Sequence, residues 1–494
     1  MNSKIKSAIV IGSGFGGISS ALRLRAMGYN VKLFEKLDQL GGRARVFKRK
    51  GYTFDAGPTV ITAPFLFDEL FQLFNKKRND YVKFVELNPW YQFYFDGGEI
   101  FNYGGTIQDT EKEIQKFSEE DVEGYKKLVN MSEKIFETGF TKLSHVPFHN
   151  FFFMIKQIPK LFRLKSYLTV YQLVSKYIKN PNLHKALSIQ PLLLGGNPIT
   201  TTSIYNLIHF LERKWGVHYA VGGTGAIVKA LKKLMIEENV EINLNSEVSE
   251  IIFENKKAIG IKLRNNKEFF SDIVVFNGDP THAYLNMIPK ARRWTQKKID
   301  KLELSMGLFV IFFGTKKKYP KVEHHTIWMG KRFKGLLKDI FEGDNLPEDF
   351  SLYLHRPSAS DKKMAPKDCD CFYVLSPVPN LKSKINWDIE GEEYKDRILK
   401  ALEKTLLPNL SKYLDVSFYM TPEDFSKDYL SYKGSGFSIS PIFKQSAWFR
   451  FNNKSEDFKN LFFVGAGTHP GAGVPGVLSS AKVLENILMS DSRG

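Results

Sequence analysis

The chain has 494 residues, 43% of them hydrophobic and 25% charged, so it exceeds the ~250–300 residues that one core serves and falls outside disordered or collagen-like compositions. Its 71 Lys and Arg against 53 Asp and Glu give a formal charge of +18, which favours an anionic partner. No RNP, zinc-finger or helix-turn-helix pattern is present, so nucleic acid is set aside for a solvated Lys-rich surface or a membrane surface. Cys369 and Cys371 stand one residue apart, a spacing suited neither to an ordinary disulfide nor to a lone zinc site. Met1 to Lys6 shows no secretory apolar region, and the longest uncharged stretch, Ala186 to Leu211, is broken by Gly195, Gly196, Asn197 and Pro198. Neither a signal peptide nor a spanning helix is expected.

Ser7 to Ile11 (SAIVI) reads as a strand buried on both faces, followed at once by Gly12, Ser13, Gly14, Phe15, Gly16 and Gly17. A helix is expected over Ile18 to Met27 with Gly28 closing it, then a second strand from Asn30 to Phe34. That strand ends in Glu35, with Lys36 beside it, and Glu35 stands 18 positions beyond Gly17. This is close to the ~20-residue offset at which an acid meets an adenosine ribose. In this pattern Gly12 makes the tight turn, Gly14 lets the backbone approach a pyrophosphate, and Gly17 lets helix and sheet close up. The phosphates would sit on the positive end of the helix.

Gly41-Gly42-Arg43-Ala44 and Phe54-Asp55-Ala56-Gly57-Pro58-Thr59 resemble segments of the FAD-dependent amine oxidase and phytoene desaturase superfamily. The resemblance implies FAD as the dinucleotide, Gly42 and Arg43 against its nucleotide part, and Gly57, Pro58 and Thr59 near the flavin ring. An Arg there has a plain use in charge-assisted bonds to phosphate oxygens.

From Asn75 to Asn180 the composition turns aromatic and basic. Phe148, Phe151, Phe152, Phe153, Met154 and Ile158 interleave with Lys156, Lys160, Arg163 and Lys165. That mix fits a segment at a bilayer interface and equally a helical cap whose Phe cluster fills core. Gly222-Gly223-Thr224-Gly225 precedes a helix expected over Ala226 to Glu237, but position 228 is Val, so a second dinucleotide site is not expected. Glu241 to Val248 reads as one strand, whose Val248 the resemblance places at the adenine side of FAD. Ile273 to Phe276 reads as another, leading into Asn277-Gly278-Asp279 and back to the nucleotide site.

Near the end, Leu461 to Val464 reads as a short buried strand. Gly465-Ala466-Gly467-Thr468-His469-Pro470-Gly471-Ala472-Gly473-Val474-Pro475-Gly476-Val477 follows, then a helix from Leu478 to Met489. So many glycines leave backbone N–H groups at a helix start facing whatever docks there. The resemblance makes Gly465, Ala466, Gly467, Gly473, Val474 and Pro475 flavin contacts, where they would favour negative charge on the reduced ring. His469 is read as a structural or flavin-contacting residue ahead of a base.

This run, with Phe350 to His355, Tyr373 to Pro379 and Gln445 to Arg450, is similar to the bacterial-type phytoene desaturases (phytoene dehydrogenases) of the FAD-dependent carotenoid/retinoid oxidoreductase family, across Ile9 to Leu488. Gly278 and Gly436 stand where that family often carries Ala. The implied fold is α/β. A Rossmann-like FAD-binding domain of parallel sheet and helices would take 1–75, 215–280 and 430–494. A discontinuous substrate domain would take 281–429, and a largely helical, membrane-docking cap 76–214.

The implied reaction desaturates phytoene, a C40 carotene, toward lycopene by hydride transfer from an allylic carbon to flavin, with quinone or oxygen as final acceptor. The neighbouring C–H of the resulting cation is acidic enough that no strong base is demanded; a carboxylate or ring near the flavin would stabilise the charge. Recognition of a hydrocarbon rests on an apolar tunnel, for which Leu192, Leu193, Leu194 and Phe309 to Phe313 are expected linings. The same substrate implies a peripheral place on the cytoplasmic side of the cell membrane. No metal is expected. The alternatives are a carotene isomerase or a C30 or hydroxycarotenoid desaturase, a flavin amine oxidase, and a non-enzymatic membrane-binding protein.

Overall fold

The structure is a computed structural model describing residues 5–148, 151–289 and 291–491, without the side chains of 151–153. The Phe151, Phe152 and Phe153 side chains expected at an interface therefore lie outside the described residues.

Strand β1 (Ser7–Ile11) pairs in parallel with β2 (Asn30–Phe34) on one side and Ile273–Phe276 on the other. Glu241–Asn243 and Leu461–Phe463 complete a five-stranded parallel sheet with β1 at its centre. Alternation along β1 sends its side chains to two cores. Ala8 and Val10 pack under helix α1 (Phe15–Ala26) and the helices Thr224–Glu237 and Val474–Asp491. Ile9 and Ile11 face a three-stranded antiparallel meander spanning Val248–Glu254, Lys257–Leu263 and Glu268–Phe270.

Several boundaries differ from the sequence reading, three of them by enough to matter. α1 begins at Phe15 and so takes in Gly16 and Gly17, and the last helix begins at Val474. The strand expected over Glu241 to Val248 is two strands in different sheets. Asn245 takes φ +50°, and the Asn245 and Ser246 N–H groups donate to the carbonyls of Leu37 and Glu35 (3.0 and 2.7 Å), which turns the chain before Val248.

A second, mixed sheet has seven strands in the order Leu414–Met420, Gly307–Thr315, Asp370–Val378, Leu352–His355, His325–Met329, Tyr91–Phe95 and Ile100–Tyr103. Its last two strands come from the stretch read as a helical cap, so 76–214 also carries part of this sheet; Tyr91–Phe95 runs parallel to His325–Met329. The remainder of that stretch is mostly helix, including Glu120–Phe136, Phe151–Arg163 and Leu207–Trp215. No helix among the described residues is long and apolar enough to cross a membrane.

Candidate nucleotide and substrate cavity

The glycines after β1 act as their spacing suggests. Gly12 turns at φ +89°, a backbone region that side chains resist. A Cβ on Gly17 would stand 2.0 Å from the Gly12 carbonyl oxygen, so α1 can lie this close to the sheet only with glycine there. A Cβ on Gly16 would meet the Asn277 side chain at 2.4 Å. Gly14 is the N-cap of α1 and has no side-chain cap, so the first N–H groups of the helix open onto the cavity that Gly14 lines.

Glu35, at the end of β2, is buried. Its Oε2 accepts from the Ser13 N–H (2.8 Å) and hydroxyl (2.6 Å), and its Oε1 from the Leu37 N–H (2.9 Å). A carboxylate offers about four lone-pair positions, so a ribose hydroxyl still finds an acceptor. Gly41 and Gly42, at φ +109° and +55°, swing Arg43 onto the cavity wall. There its Nη2 donates to the Ser431 hydroxyl (2.6 Å) while its Nε is buried without a partner among the described residues. Burial lowers the Arg43 pKa from the usual value, and Asp279 opposes that shift. A spare buried donor, uncapped helix N–H groups and a backbone approach that a Cβ would obstruct together fit a dinucleotide diphosphate.

The C-terminal glycine run is shaped by Arg450. Its Nε donates to the Thr468 carbonyl (3.0 Å) and its Nη2 to that of Ala466 (2.6 Å), and the side chain is buried. His469 lines the cavity, with Nε2 3.1 Å from the Leu143 carbonyl oxygen and its ring 4.7 Å from that of Phe148. Burial lowers its pKa to about 4, so a neutral imidazole ties two elements together. The other glycine-rich helix start, at Thr224, is filled by the protein's own carboxylates: Gly225 N–H donates to Asp55 (3.3 Å) and Gly222 N–H to Asp361 (2.8 Å).

Of the residues expected at a cofactor, Gly12, Ser13, Gly14, Phe15, Glu35, Lys36, Gly42, Arg43, Gly57, Pro58, Thr59, Val248, Asn277, Gly465, Ala466, Gly467, Gly473, Val474 and Pro475 all line one cavity of about 610 Å³. Gly16 and Gly17 stand behind its wall, where they set the packing. The cavity continues among apolar side chains, Leu192, Leu193 and Leu194 included. Phe309 to Phe313 do not line it. They are core: Phe309 packs on Trp387 and Tyr394, and Phe312 stacks on Phe418 at 4.8 Å. Phe148 and Met154 turn inward and line the cavity, as do Gln157 and Leu161 of the same helix as Met154. At the two glycine departures, an added Cβ would meet Phe276 at 2.5 Å (Gly278) and Leu308 at 2.7 Å (Gly436).

Two polar features of the cavity escaped the sequence reading. Glu212, fully buried on the helix Leu207–Trp215, accepts from the Tyr91 hydroxyl (2.8 Å) through Oε1, while Oε2 has no partner among the described residues. Burial raises its pKa to about 7 against the Tyr91 bond and Arg213, which lower it. The available signal was Glu212 three residues after His209 within the apolar start of one helical run, Leu207 to Trp215. The second is Tyr353, whose hydroxyl lies 2.6 Å from Thr59 Oγ1 and 2.8 Å from His325 Nδ1.

Comparison with known proteins agrees with this geometry. Residues 15–483 match the family described as flavin containing amine oxidoreductase. The lycopene-forming phytoene desaturase of Pantoea ananas is 41% identical over 490 residues, covering 99% of this chain and 100% of that one. The neurosporene-forming phytoene desaturase of Rhodobacter capsulatus is 41% identical over 489 residues, covering 97% and 93%. Among solved structures, an oxidoreductase from Methanosarcina mazei superposes with a TM-score of 0.66 at 17% identity, covering 99% of this chain and 100% of that one.

Proposed function

Because the chain belongs to the flavin-containing amine oxidoreductases and, within them, to the phytoene desaturases, we propose that it is an FAD-dependent desaturase converting phytoene toward lycopene. The observation that carries this reading is continuity: one cavity takes in Gly14, Glu35 and Arg43 together with the apolar wall of Leu192, Leu193 and Leu337. Bound FAD supplies the hydride acceptor.

The rest falls to the chain's residues. Ser13, Gly14 and Arg43 would hold the diphosphate and Glu35 the ribose, while the 465–475 backbone would face the flavin. The apolar wall excludes water and selects by length and shape, since a hydrocarbon offers nothing to hydrogen-bond. Glu212, when ionised, places negative charge in a low-dielectric site where positive charge develops on allylic carbon. An amine oxidase reading finds less support, because the wall is dominated by aliphatic and aromatic side chains. We assign the parallel-sheet segments to a Rossmann-like cofactor domain and the seven-stranded sheet to the substrate domain, with quinone or oxygen receiving the electrons. Expression in a host that accumulates phytoene should yield red lycopene or yellow intermediates; unchanged phytoene would sink the reading.

A peripheral site on the cytoplasmic face of the membrane is supported by the helix Phe151–Arg163. Met154, Gln157 and Leu161 face the cavity, whereas Ile155, Ile158 and Phe162 are exposed, Phe162 by 67%. Lys156, Lys160 and Arg163 are exposed beside them, so apolar groups can enter lipid while cations meet phosphates. Each cation near an anionic surface contributes roughly 1 kcal/mol. Reversing all three charges should weaken binding to phosphatidylserine vesicles at least a hundredfold in a sedimentation assay. Unchanged binding would leave this face an ordinary surface.

A further inference from the structure

Three histidines meet beside the cavity. His325 and His355 are direct partners in neighbouring antiparallel strands, and Tyr353, two residues before His355, shares its face. His324 precedes His325, and the three imidazoles are buried with ring centroids 4.6 to 5.4 Å apart. His325 spends Nδ1 on the Tyr353 hydroxyl (2.8 Å), and His324 spends Nδ1 on the Ser360 hydroxyl (2.7 Å). The Nε2 atoms of both, and both ring nitrogens of His355, are buried without partners among the described residues. Buried polar atoms left so require an explanation.

One nitrogen from each ring can be chosen so that all three lie within 4.8 Å of one another. Tetrahedral zinc at ~2.0–2.1 Å would bring ligand nitrogens to about 3.3 Å apart. One water at hydrogen-bond distance keeps its partners about 4.6 Å apart, a spacing that also falls within that limit. The group contains no carboxylate, and Arg356 acts on His324 to disfavour added positive charge. The positive charge of Arg356 beside His324 favours a neutral water over a metal ion.

We propose that Thr59, Tyr353, His325, one bridging water, His324 and Ser360 form a proton path from the cavity to the surface, with His355 as the water's third partner. Thr59 and Tyr353 line the cavity at one end, and Ser360 is exposed at the other. One set of tautomers satisfies every link. Thr59 donates to Tyr353, Tyr353 to His325 Nδ1, His325 Nε2–H to water, water to His324 Nε2, and His324 Nδ1–H to Ser360. Burial lowers the pKa of His325 to about 3 and that of His324 well below the usual value, so both stand neutral, each with one donor and one acceptor nitrogen.

The path rests on the desaturase reading and supplies a step that reading requires. Each desaturation breaks two C–H bonds: one hydrogen leaves with its electron pair to FAD, the other as a proton whose bonding pair becomes the new C=C. That proton arises in an apolar cavity and must leave it. It passes to Thr59 as the chain shifts by one bond, and one proton emerges at Ser360.

The test mixes FAD-loaded protein anaerobically with phytoene in liposomes, following flavin absorbance and a pH-sensitive dye. The parent should release one proton per FAD reduced and react more slowly in D2O. Tyr353→Phe and His324→Gln should keep their FAD content and lose roughly 10²-fold in rate, and the D2O effect should change with it. Nitrogen-15 histidine NMR of the FAD-loaded parent should show His325 protonated at Nε2 and His324 at Nδ1. A parent-like rate in either variant, the opposite tautomers, or one equivalent of zinc by elemental analysis would each overturn the path. A parent that reduces no FAD with phytoene fails the desaturase reading and the path with it; an active parent with an indifferent Tyr353→Phe fails the path alone.

Discussion

A Gly14→Val chain is expected to fold and to purify colourless from cells that yield yellow parent protein. Gly14 sits at φ −63°, ψ 171°, a region open to any residue, so the backbone itself does not resist the substitution. Its Cβ would stand 3.0 Å from the Asn277 amide, a side-chain atom that can shift. What the new side chain cannot avoid is the cavity. Gly42 approaches so closely that a Cβ on it would lie 3.4 Å from the Gly14 Cα, and valine's methyls enter the space between the first N–H groups of α1 and any diphosphate. Losing those contacts should lower FAD affinity more than a hundredfold, since hydrogen bonds to a charged group contribute about 1.5–3 kcal/mol each. Flavin-to-protein absorbance reads the outcome directly, with far-ultraviolet circular dichroism as the fold control. Full flavin occupancy would contradict the phosphate-loop assignment. Gly17→Ala is the less informative change, because its Cβ would strike backbone at 2.0 Å and pry α1 from the sheet.

The nucleotide site was legible because its parts are local in sequence. Strand, glycines, helix, strand and acid follow one another from Ser7 to Glu35, and the close approach that Gly17 permits is to Gly12, five residues away, although Gly12, Gly14 and Gly16 also abut the distant Asn277. The C-terminal glycine run was legible for the same reason, although its shape depends on Arg450, whose bonds to the Thr468 and Ala466 carbonyls no local pattern encodes.

What the sequence hid depends on long-range pairing. Tyr91–Phe95 joins a sheet whose neighbouring strand lies more than two hundred residues on, so a helix-rich stretch concealed it. Phe309 to Phe313 read as a greasy tunnel wall because a fully apolar strand does not announce which core it serves; both of its faces are covered, by Trp387 and Tyr394 on one side and Phe418 on the other. Phe148 looked like part of an interfacial cluster, yet it is buried against His469. Tyr353 and the histidines become a group only through the register that sets His325 opposite His355.

Replacing Glu212 by Gln is expected to stabilise the protein at alkaline pH while slowing desaturation. The carboxyl is buried, and its folded pKa is raised from 4.5 to about 7, chiefly by desolvation. A raised carboxyl pKa means that the unfolded chain releases this proton first, so stability is greatest below pH ~4.5 and falls as pH rises toward 7, after which this contribution is flat. The span corresponds to about 3 kcal/mol at ~1.4 kcal/mol per unit. Gln keeps the shape and an oxygen for the Tyr91 hydroxyl but carries no ionisable proton, so the variant should gain up to that amount over the parent at pH 8 and little at pH 4. Thermal midpoints of the two chains across that range measure it; a constant difference would mean that folding does not raise the Glu212 pKa. The same substitution removes the one carboxylate that Tyr91 orients in an apolar part of the cavity. If that charge stabilises an allylic cation, removing it should cost roughly 10²–10³ in rate, and the parent's rate should rise through pH 7 while the Gln variant's stays level. Stability and activity then move in opposite directions from a single atom change, because the desolvation that makes the ionised carboxylate unfavourable in the resting protein also leaves its field unscreened for the substrate.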